Sequence, residues 1–308
     1  MNVTVSVPGK VHLMGEHAVV YGKPALLSAV NKRMYITVTD AAQTRERDAY
    51  IHFIIGLLEK ELKQRFPPLS ISISSDVPPG YHLGTSAMVA VGTIAAVLYA
   101  VKKVWNPERV NVLAYEAEKK QHGNPSGGDN TCVTFGGLLW YRKEFEFLKS
   151  MWHLPFKPAK KFHNFFLIKT TKPKESTGEM VALVAAMVKR RWSRMENIFS
   201  ENERQTKRVA VALKEGDEST LIDAMHIGER TLEEMGVVSE KVKPLIRALE
   251  KSGGAAKILG GGGVGGGVGY LLCYHPDVAK VQKSCVPYGF SFESITLGEE
   301  GLRLEKRV

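Results

Sequence analysis

Lys10, Ser86, Glu118 and Asp129 stand in or beside three segments of this 308-residue sequence that are rich in glycine. Together they supply what phosphoryl transfer requires. That reaction needs backbone N–H groups and a cation around the phosphates, oxygen ligands for Mg2+, and a carboxylate near the acceptor hydroxyl. The phosphate-binding stretch is PPGYHLGTSA, residues 78–87. A Pro/Gly loop there opens onto a helix, whose first turn presents free N–H groups and the positive end of the helix dipole. Thr85 and Ser86 put hydroxyls at that mouth, suited to phosphate or to a phosphate-bound metal ion. A turn whose Ser or Thr merely caps a core helix would read the same way, so the loop alone does not decide. No GxxxxGK[ST] pattern occurs, which excludes the common P-loop.

The flanking elements must position this loop. Residues 69–74, LSISIS, alternate apolar and polar, which predicts a half-buried strand leading into it. Residues 87–101 are almost wholly apolar, which predicts a helix buried on most sides despite Gly92 and several β-branched residues. That run is too short for a membrane span. Upstream, residues 2–7 read as an edge strand and residues 34–39 as another. Between them, residues 8–26 mix turn glycines with Lys10, Glu16 and His17, as a loop over a site or a surface hairpin with incidental charges would. Residues 45–65 read as an amphipathic helix with Ile51, Ile54, Leu57, Leu58 and Leu62 on one face. Asn106-Pro107-Glu108 opens a helix that carries Glu118 and stops near Gly123. Residues 123–130 then read as a loop and residues 131–141 as a strand. Asp129 falls in a glycine-rich turn, where an aspartate ordinarily bonds the local backbone.

Two prolines and four basic residues at 151–161 mark a domain boundary. Beyond it come a strand at 162–168, a turn at 169–174, and a capping box of Ser176 with Glu179 that starts a helix. Helical patterns continue to residue 252, broken at Gly216 and Gly236. Residues 260–269, GGGGVGGGVG, lie between apolar strand-like residues, so the chain there closely approaches another backbone or a ligand. A strand at 270–274, a helix at 276–283 and a strand at 290–297 complete an α+β pattern of ferredoxin-like type.

The formal net charge of +10 invites a nucleic-acid partner, but the basic residues are dispersed and no RNA- or DNA-binding motif accompanies them. Attraction of an anionic substrate is the milder reading. Cys132, Cys273 and Cys285 form no CxxC pair, which argues against a disulfide framework or zinc site and for a reducing compartment. The N-terminal residues lack the layout of a signal peptide, so the expectation is a cytoplasmic protein with no membrane partner. Whether it is a monomer or a homodimer is left open.

These segments, in this order, resemble the GHMP kinase superfamily and, within it, the mevalonate kinases. PGKVHLMGEHAVVYG, residues 8–22, resembles the first family motif, PPGYHLGTSA the second, and the glycine run after Lys257-Ile258 the third. GEHAVVYG is of the mevalonate kinase type, where galactokinases carry a GEHTDY-like version. AYEAEKKQHGNPSGGDN, residues 114–130, resembles the segment that bears the catalytic carboxylates of mevalonate kinases. The resemblance implies an α+β, two-domain fold with the active site in the cleft between domains. A ribosomal S5 domain 2-like α/β domain would span 1–155, and a ferredoxin-like α+β domain 156–308. The implied activity is ATP-dependent phosphorylation of the C5 hydroxyl of mevalonate, giving 5-phosphomevalonate for isoprenoid biosynthesis.

By the same resemblance, Asp129 accepts the hydroxyl proton, and Lys10 lowers the hydroxyl's pKa and stabilises the moving phosphoryl group. Ser86 and Glu118 hold Mg2+. Pro79, Gly80, Leu83, Gly84, Thr85 and Ser86 form the nucleotide loop. Glu16 and His17 line the mevalonate pocket beside Lys10 and Asp129, and Thr177 closes it with Gly260, Gly261, Gly262, Gly263 and Gly265. His82, His122 and Cys132 lie nearby without an assigned role. Two departures stand out. The second motif usually reads PPGxGLGSS, so Tyr81 and His82 replace a small residue and a glycine, and a φ > 0 backbone there would suit His82 less well. In the third, usually KxTGAGGGG, Leu259 replaces the hydroxyl residue and Val264 interrupts the glycines. The competing readings are a superfamily kinase for phosphomevalonate or a sugar, and a non-catalytic nucleotide-binding relative.

Overall fold

The computed structural model describes residues 2–42, 48–123, 125–159 and 162–305. The apolar run becomes helix α2, Thr85–Lys102, around which the first half of the chain is built. By length and composition α2 could cross a membrane, but 67% of it is buried inside the protein, as befits a core helix. It lies on a sheet whose two long strands, β1 (Asn2–Met14) and β2 (Ala25–Asp40), pair antiparallel from Asn2↔Thr39 to Met14↔Leu26. Gly92 makes this contact close, because a side chain there would run into Ile36 and Val7.

The far half of β2 pairs with β3 (Leu69–Ser75) and the near half with β4 (Leu138–Lys143). β5 (Lys149–His153) extends the sheet beyond β4. Helix α1 (Ala49–Leu62) is capped by Asp48 and α3 (Pro107–His122) by Asn106, whose side chain accepts from the Arg109 N–H at 2.9 Å. The first residues expected in α1, 45–47, lie outside the described residues.

Of the two readings of residues 8–26, the backbone is that of the hairpin, although its charged residues face a cleft. β1 runs on through Pro8-Gly9 to Met14, a short 3-10 helix covers Ala18–Tyr21, and β2 follows. Strand alternation persists because Val11 and Leu13 enter the core, while Pro8-Gly9 is absorbed as an irregularity in the β1–β2 register. Nor is β1 an edge, since a short strand at its other side, given below, pairs with Val5 and Ser6. The strand expected at 131–141 is in part helix, α4 (Gly128–Phe135). Its β-branched residues fit because the Thr131 and Thr134 hydroxyls donate to the carbonyls of Gly127 and Asn130, one turn back, at 2.6 and 2.7 Å.

The second half forms an antiparallel sheet ordered β7-β8-β6-β9, from β6 (Phe165–Lys169), β7 (Ala255–Ile258), β8 (Tyr270–Tyr274) and β9 (Ser291–Ile295). Helices α5 (Thr177–Arg190), α6 (Trp192–Glu215), α7 (Glu218–Glu234), α8 (Lys243–Lys251) and α9 (Val278–Cys285) accompany it. The Ser176–Glu179 capping box starts α5. α6 and α7 join the halves: Val209, Leu213 and Leu221 pack in the first core, Phe199 and Leu232 in the second.

The end of the chain returns to the first sheet, where β10 (Arg303–Leu304) pairs with β1. Buried Arg33 pins this return by donating to the Ser6 hydroxyl and carbonyl and to the carbonyls of Glu300 and Gly301, at 2.7–3.1 Å. Arg33→Met leaves those acceptors buried and unpaired, so stability should fall by about 3 kcal/mol. Urea denaturation measures this, and an unchanged midpoint would contradict the anchoring role.

Candidate active site

Alternation along β1 sends Lys10 and His12 to one side while Val11 and Leu13 enter the core. Lys10 is almost wholly buried, and its ammonium lies 3.0 Å from Asp129 Oδ1 and 2.9 Å from His12 Nδ1. A buried ammonium needs such acceptors. Asp129 sits in the first turn of α4, where the free N–H groups and the helix dipole favour a carboxylate. The Lys10 N–H donates to the Leu83 carbonyl at 3.0 Å, tying β1 to the phosphate loop. Its aliphatic stem runs over Gly84, where an added Cβ would lie 3.0 Å from Lys10 Cγ. Gly84 also has φ +78°. Two independent constraints therefore require glycine at that position.

Gly84 is the N-cap of α2, and no side chain caps that end. Its first N–H groups therefore face the cleft available to an anion. Beside them the Ser86 hydroxyl donates to Glu118 Oε2 at 2.9 Å and contacts His122 Nε2 at 2.9 Å. Tyr50 OH donates to the other Glu118 oxygen at 2.6 Å. Glu118 is buried, and burial pushes its pKa up. Among the described residues no lysine or arginine pairs with it; only His122 approaches, at 3.6 Å. A buried carboxylate lacking a cation, next to a hydroxyl at an uncapped helix end, supplies hard oxygen donors of the kind that suit Mg2+.

The third glycine segment closes the opposite wall. Its two tightest approaches are to backbone: a side chain at Gly262 would strike the Val237 carbonyl, and one at Gly267 the Thr171 carbonyl. Two histidines clasp it from the first half of the chain. His17 Nε2 donates to the Gly261 carbonyl at 3.2 Å and His82 Nε2 to the Gly262 carbonyl at 3.1 Å. Both have positive φ, +58° and +65°, so the departure at position 82 does place a histidine where glycine is easier. Burial draws both imidazoles down to about 4, and carbonyls only accept, so each ring is neutral with its proton on Nε2. Below the clasp, Lys257 is fully buried and pairs with Glu16. The second Glu16 oxygen has no hydrogen-bond partner among the described residues. Glu229 Oε2 accepts from the Ile258 N–H at 3.0 Å, and burial raises this carboxyl to about 8.

These walls enclose a cleft of about 360 Å³, a volume typical of small-molecule sites. Lys10, Glu16, His17, Gly80, Gly84, Thr85, Ser86, Glu118, Asp129, Thr177, Gly260 and Gly261 all line it. Pro79 and Leu83 do not, and Leu83 is a core residue. Gly262 lies behind His82, and the N–H groups of Gly263 and Gly265 donate to the Val237 carbonyl and to Glu175. Cys132 is a buried thiol among apolar neighbours.

Sequence reasoning missed His12, Lys257, Tyr50 and the engagement of His122. Spacing could have found two of them: His12 follows Lys10 by two residues on a strand, and His122 follows Glu118 by four on a helix. Lys172 was also missed as a cleft residue. It lies across Gly80, where an added Cβ would meet Lys172 Cε at 2.5 Å.

The family described as GHMP kinases N terminal domain matches residues 49–137, and that described as GHMP kinases C terminal matches residues 209–287. The mevalonate kinase of Pyrococcus abyssi is 30% identical, over 99% of this chain and 98% of the relative. The solved structure of L. major mevalonate kinase in complex with R-mevalonate superposes with a TM-score of 0.79 at 21% identity, covering 96% of each chain. Streptococcus pneumoniae phosphomevalonate kinase superposes as closely, with a TM-score of 0.78 at 19% identity over 94% of this chain and 99% of that one. The fold is thus common to kinases of different substrates, and the full-length sequence relatives narrow the assignment. The chain belongs to the GHMP kinase superfamily, in its mevalonate kinase branch.

Proposed function

We propose that the cleft transfers the γ-phosphoryl group of ATP to the C5 hydroxyl of mevalonate, yielding 5-phosphomevalonate and ADP. The observation that carries this reading is the Lys10–Asp129 pair at 3.0 Å, facing the same cleft as the uncapped N-terminus of α2. The choice of mevalonate is supported by curated relatives that are mevalonate kinases along the full chain.

In this mechanism the first N–H groups of α2 and Lys172 bind the phosphates, while the neutral His17 and His82 keep the glycine loop closed over them. Asp129 accepts the proton of the C5 hydroxyl as its oxygen bonds the γ-phosphorus and the bond to the β,γ-bridging oxygen breaks, releasing ADP. Lys10 lowers the pKa of that hydroxyl and stabilises charge on the transferring group. Ser86 and Glu118 would hold Mg2+, which when bound supplies positive charge to the phosphates. Residues 1–155 act as the phosphate-loop domain and 156–308 as the glycine-loop domain, with the last strand lent back to the first. Three buried, unpaired cysteines support a reducing, cytoplasmic setting.

A coupled ADP-release assay across mevalonate, phosphomevalonate and galactose tests the substrate. Turnover should appear with mevalonate and fall by several orders of magnitude in Asp129→Asn. ADP formation with phosphomevalonate alone would transfer the assignment to that substrate. His82→Gly should change the KM for ATP more than the KM for mevalonate, and equal changes would contradict a place for His82 at the nucleotide.

The two clasping histidines also set an acid limit on stability. Their folded pKa, about 4, lies below the unfolded value of about 6.5, so between these values the unfolded chain binds more protons. Stability should therefore be intact above pH 6.5 and fall as the pH drops towards 4. A His17→Asn/His82→Asn double variant, which keeps a short polar side chain at both positions, should show a flatter decline in urea midpoint over that window. A decline identical to wild type would show that these imidazoles do not set it.

A further inference from the structure

We propose that His12 is a positioning residue for phosphoryl transfer: its neutral imidazole and the Asp129 carboxylate together fix the Lys10 ammonium, leaving one N–H for the reacting oxygens. The inference deepens the kinase reading above and rests on it. An ammonium has three N–H groups and no acceptor. The Asp129 carboxylate forms an ion pair with it, Oδ1 lying 3.0 Å from Nζ, and one N–H reaches His12 Nδ1 at 2.9 Å. Because Lys10 can only donate, Nδ1 must accept, so the proton of the His12 ring sits on Nε2.

Local structure makes this arrangement rigid. His12 and Lys10 are two residues apart on one face of β1, and that strand is held on β2 by Lys10↔Ala29 and His12↔Leu27. The His12 carbonyl accepts from Lys257 Nζ at 3.2 Å, so the strand is also anchored to the second half of the chain. Burial, then the nearby Lys10, Lys257, His17 and His82, hold the imidazole neutral. His12 is therefore neither base nor acid: one nitrogen is occupied by Lys10 and the other keeps its proton.

A neutral acceptor also solves a charge problem. With Asp129 as its only partner, the ammonium would collapse onto the carboxylate that must take the hydroxyl proton. With a second carboxylate in place of His12, its positive charge would be spent before the substrate arrived. An imidazole holds Lys10 aside without neutralising it.

Three substitutions test the geometry. Asn places an oxygen near the position of Nδ1, Gln near that of Nε2, and Leu supplies no acceptor. His12→Leu and His12→Gln should lower kcat roughly 10- to 100-fold, with the KM for ATP changed less than about twofold. His12→Asn should recover most of the lost kcat. If Leu fails to fold, as thermal melts would show, the Asn–Gln comparison still decides. Equal kcat for Asn and Gln, or wild-type kcat in a folded Leu variant, would overturn the proposal. Independently of activity, 1H–15N correlation of the wild-type imidazoles should show the Nε2–H tautomer for His12 near pH 7, and an Nδ1–H tautomer would overturn it. A wild-type protein inert towards mevalonate would overturn the kinase reading instead, and the tautomer would still report whether His12 accepts from Lys10.

Discussion

A lysine ammonium held out of water must be given acceptors, and much of the first half of this protein is arranged to supply them to Lys10. The β1–β2 ladder fixes its backbone, Gly84 makes room for its stem, and the Lys10 N–H joins β1 to the phosphate loop at Leu83. α4 brings Asp129 to the ammonium from a distant part of the sequence, and His12 flanks it from the same strand. The same contacts bring a cation, a carboxylate and the open end of α2 to one cleft. Burial of Lys10 strengthens its interactions there, because water screens them from one side only.

The second constraint is closure. The glycine run can pass against the carbonyls of Val237 and Thr171 only because it lacks side chains, and it offers its own carbonyls to His17 and His82. Each of those histidines carries the strain of a positive φ, which persists only where surrounding structure compensates for it. Lys257 and Glu16 pair in the floor between the halves, so both sides of the cleft share one buried ionic contact.

Much of this was legible in the sequence where local chemistry is strong. The Asn106 and Ser176 caps, the apolar run of α2 and the strand 270–274 follow from short-range preferences that the tertiary structure keeps. Glycines left residues 8–26 undecided between a loop and a hairpin, because Gly9 serves packing within a continuing strand. Residues 131–141 read as one strand, but up to Phe135 the helix wins because its threonine hydroxyls bond back one turn and its apolar residues pack inward. In the site, Lys10, Ser86, Glu118 and Asp129 were visible through family motifs, whereas Tyr50 carried no signal because its contact with Glu118 spans 68 positions. His12 was legible only once residues 8–14 were known to be a strand.

The central claim is that the Lys10–Asp129 pair meets the acceptor hydroxyl opposite the nucleotide's terminal phosphate. A crystal structure with mevalonate and a non-hydrolysable ATP analogue tests this most directly. The account predicts the C5 hydroxyl within hydrogen-bond reach of both Asp129 and Lys10, in line with the γ-phosphorus, and the phosphates on the first N–H groups of α2. A complex in which the C5 hydroxyl faces away from Asp129, or in which the phosphates bind away from α2, would contradict it.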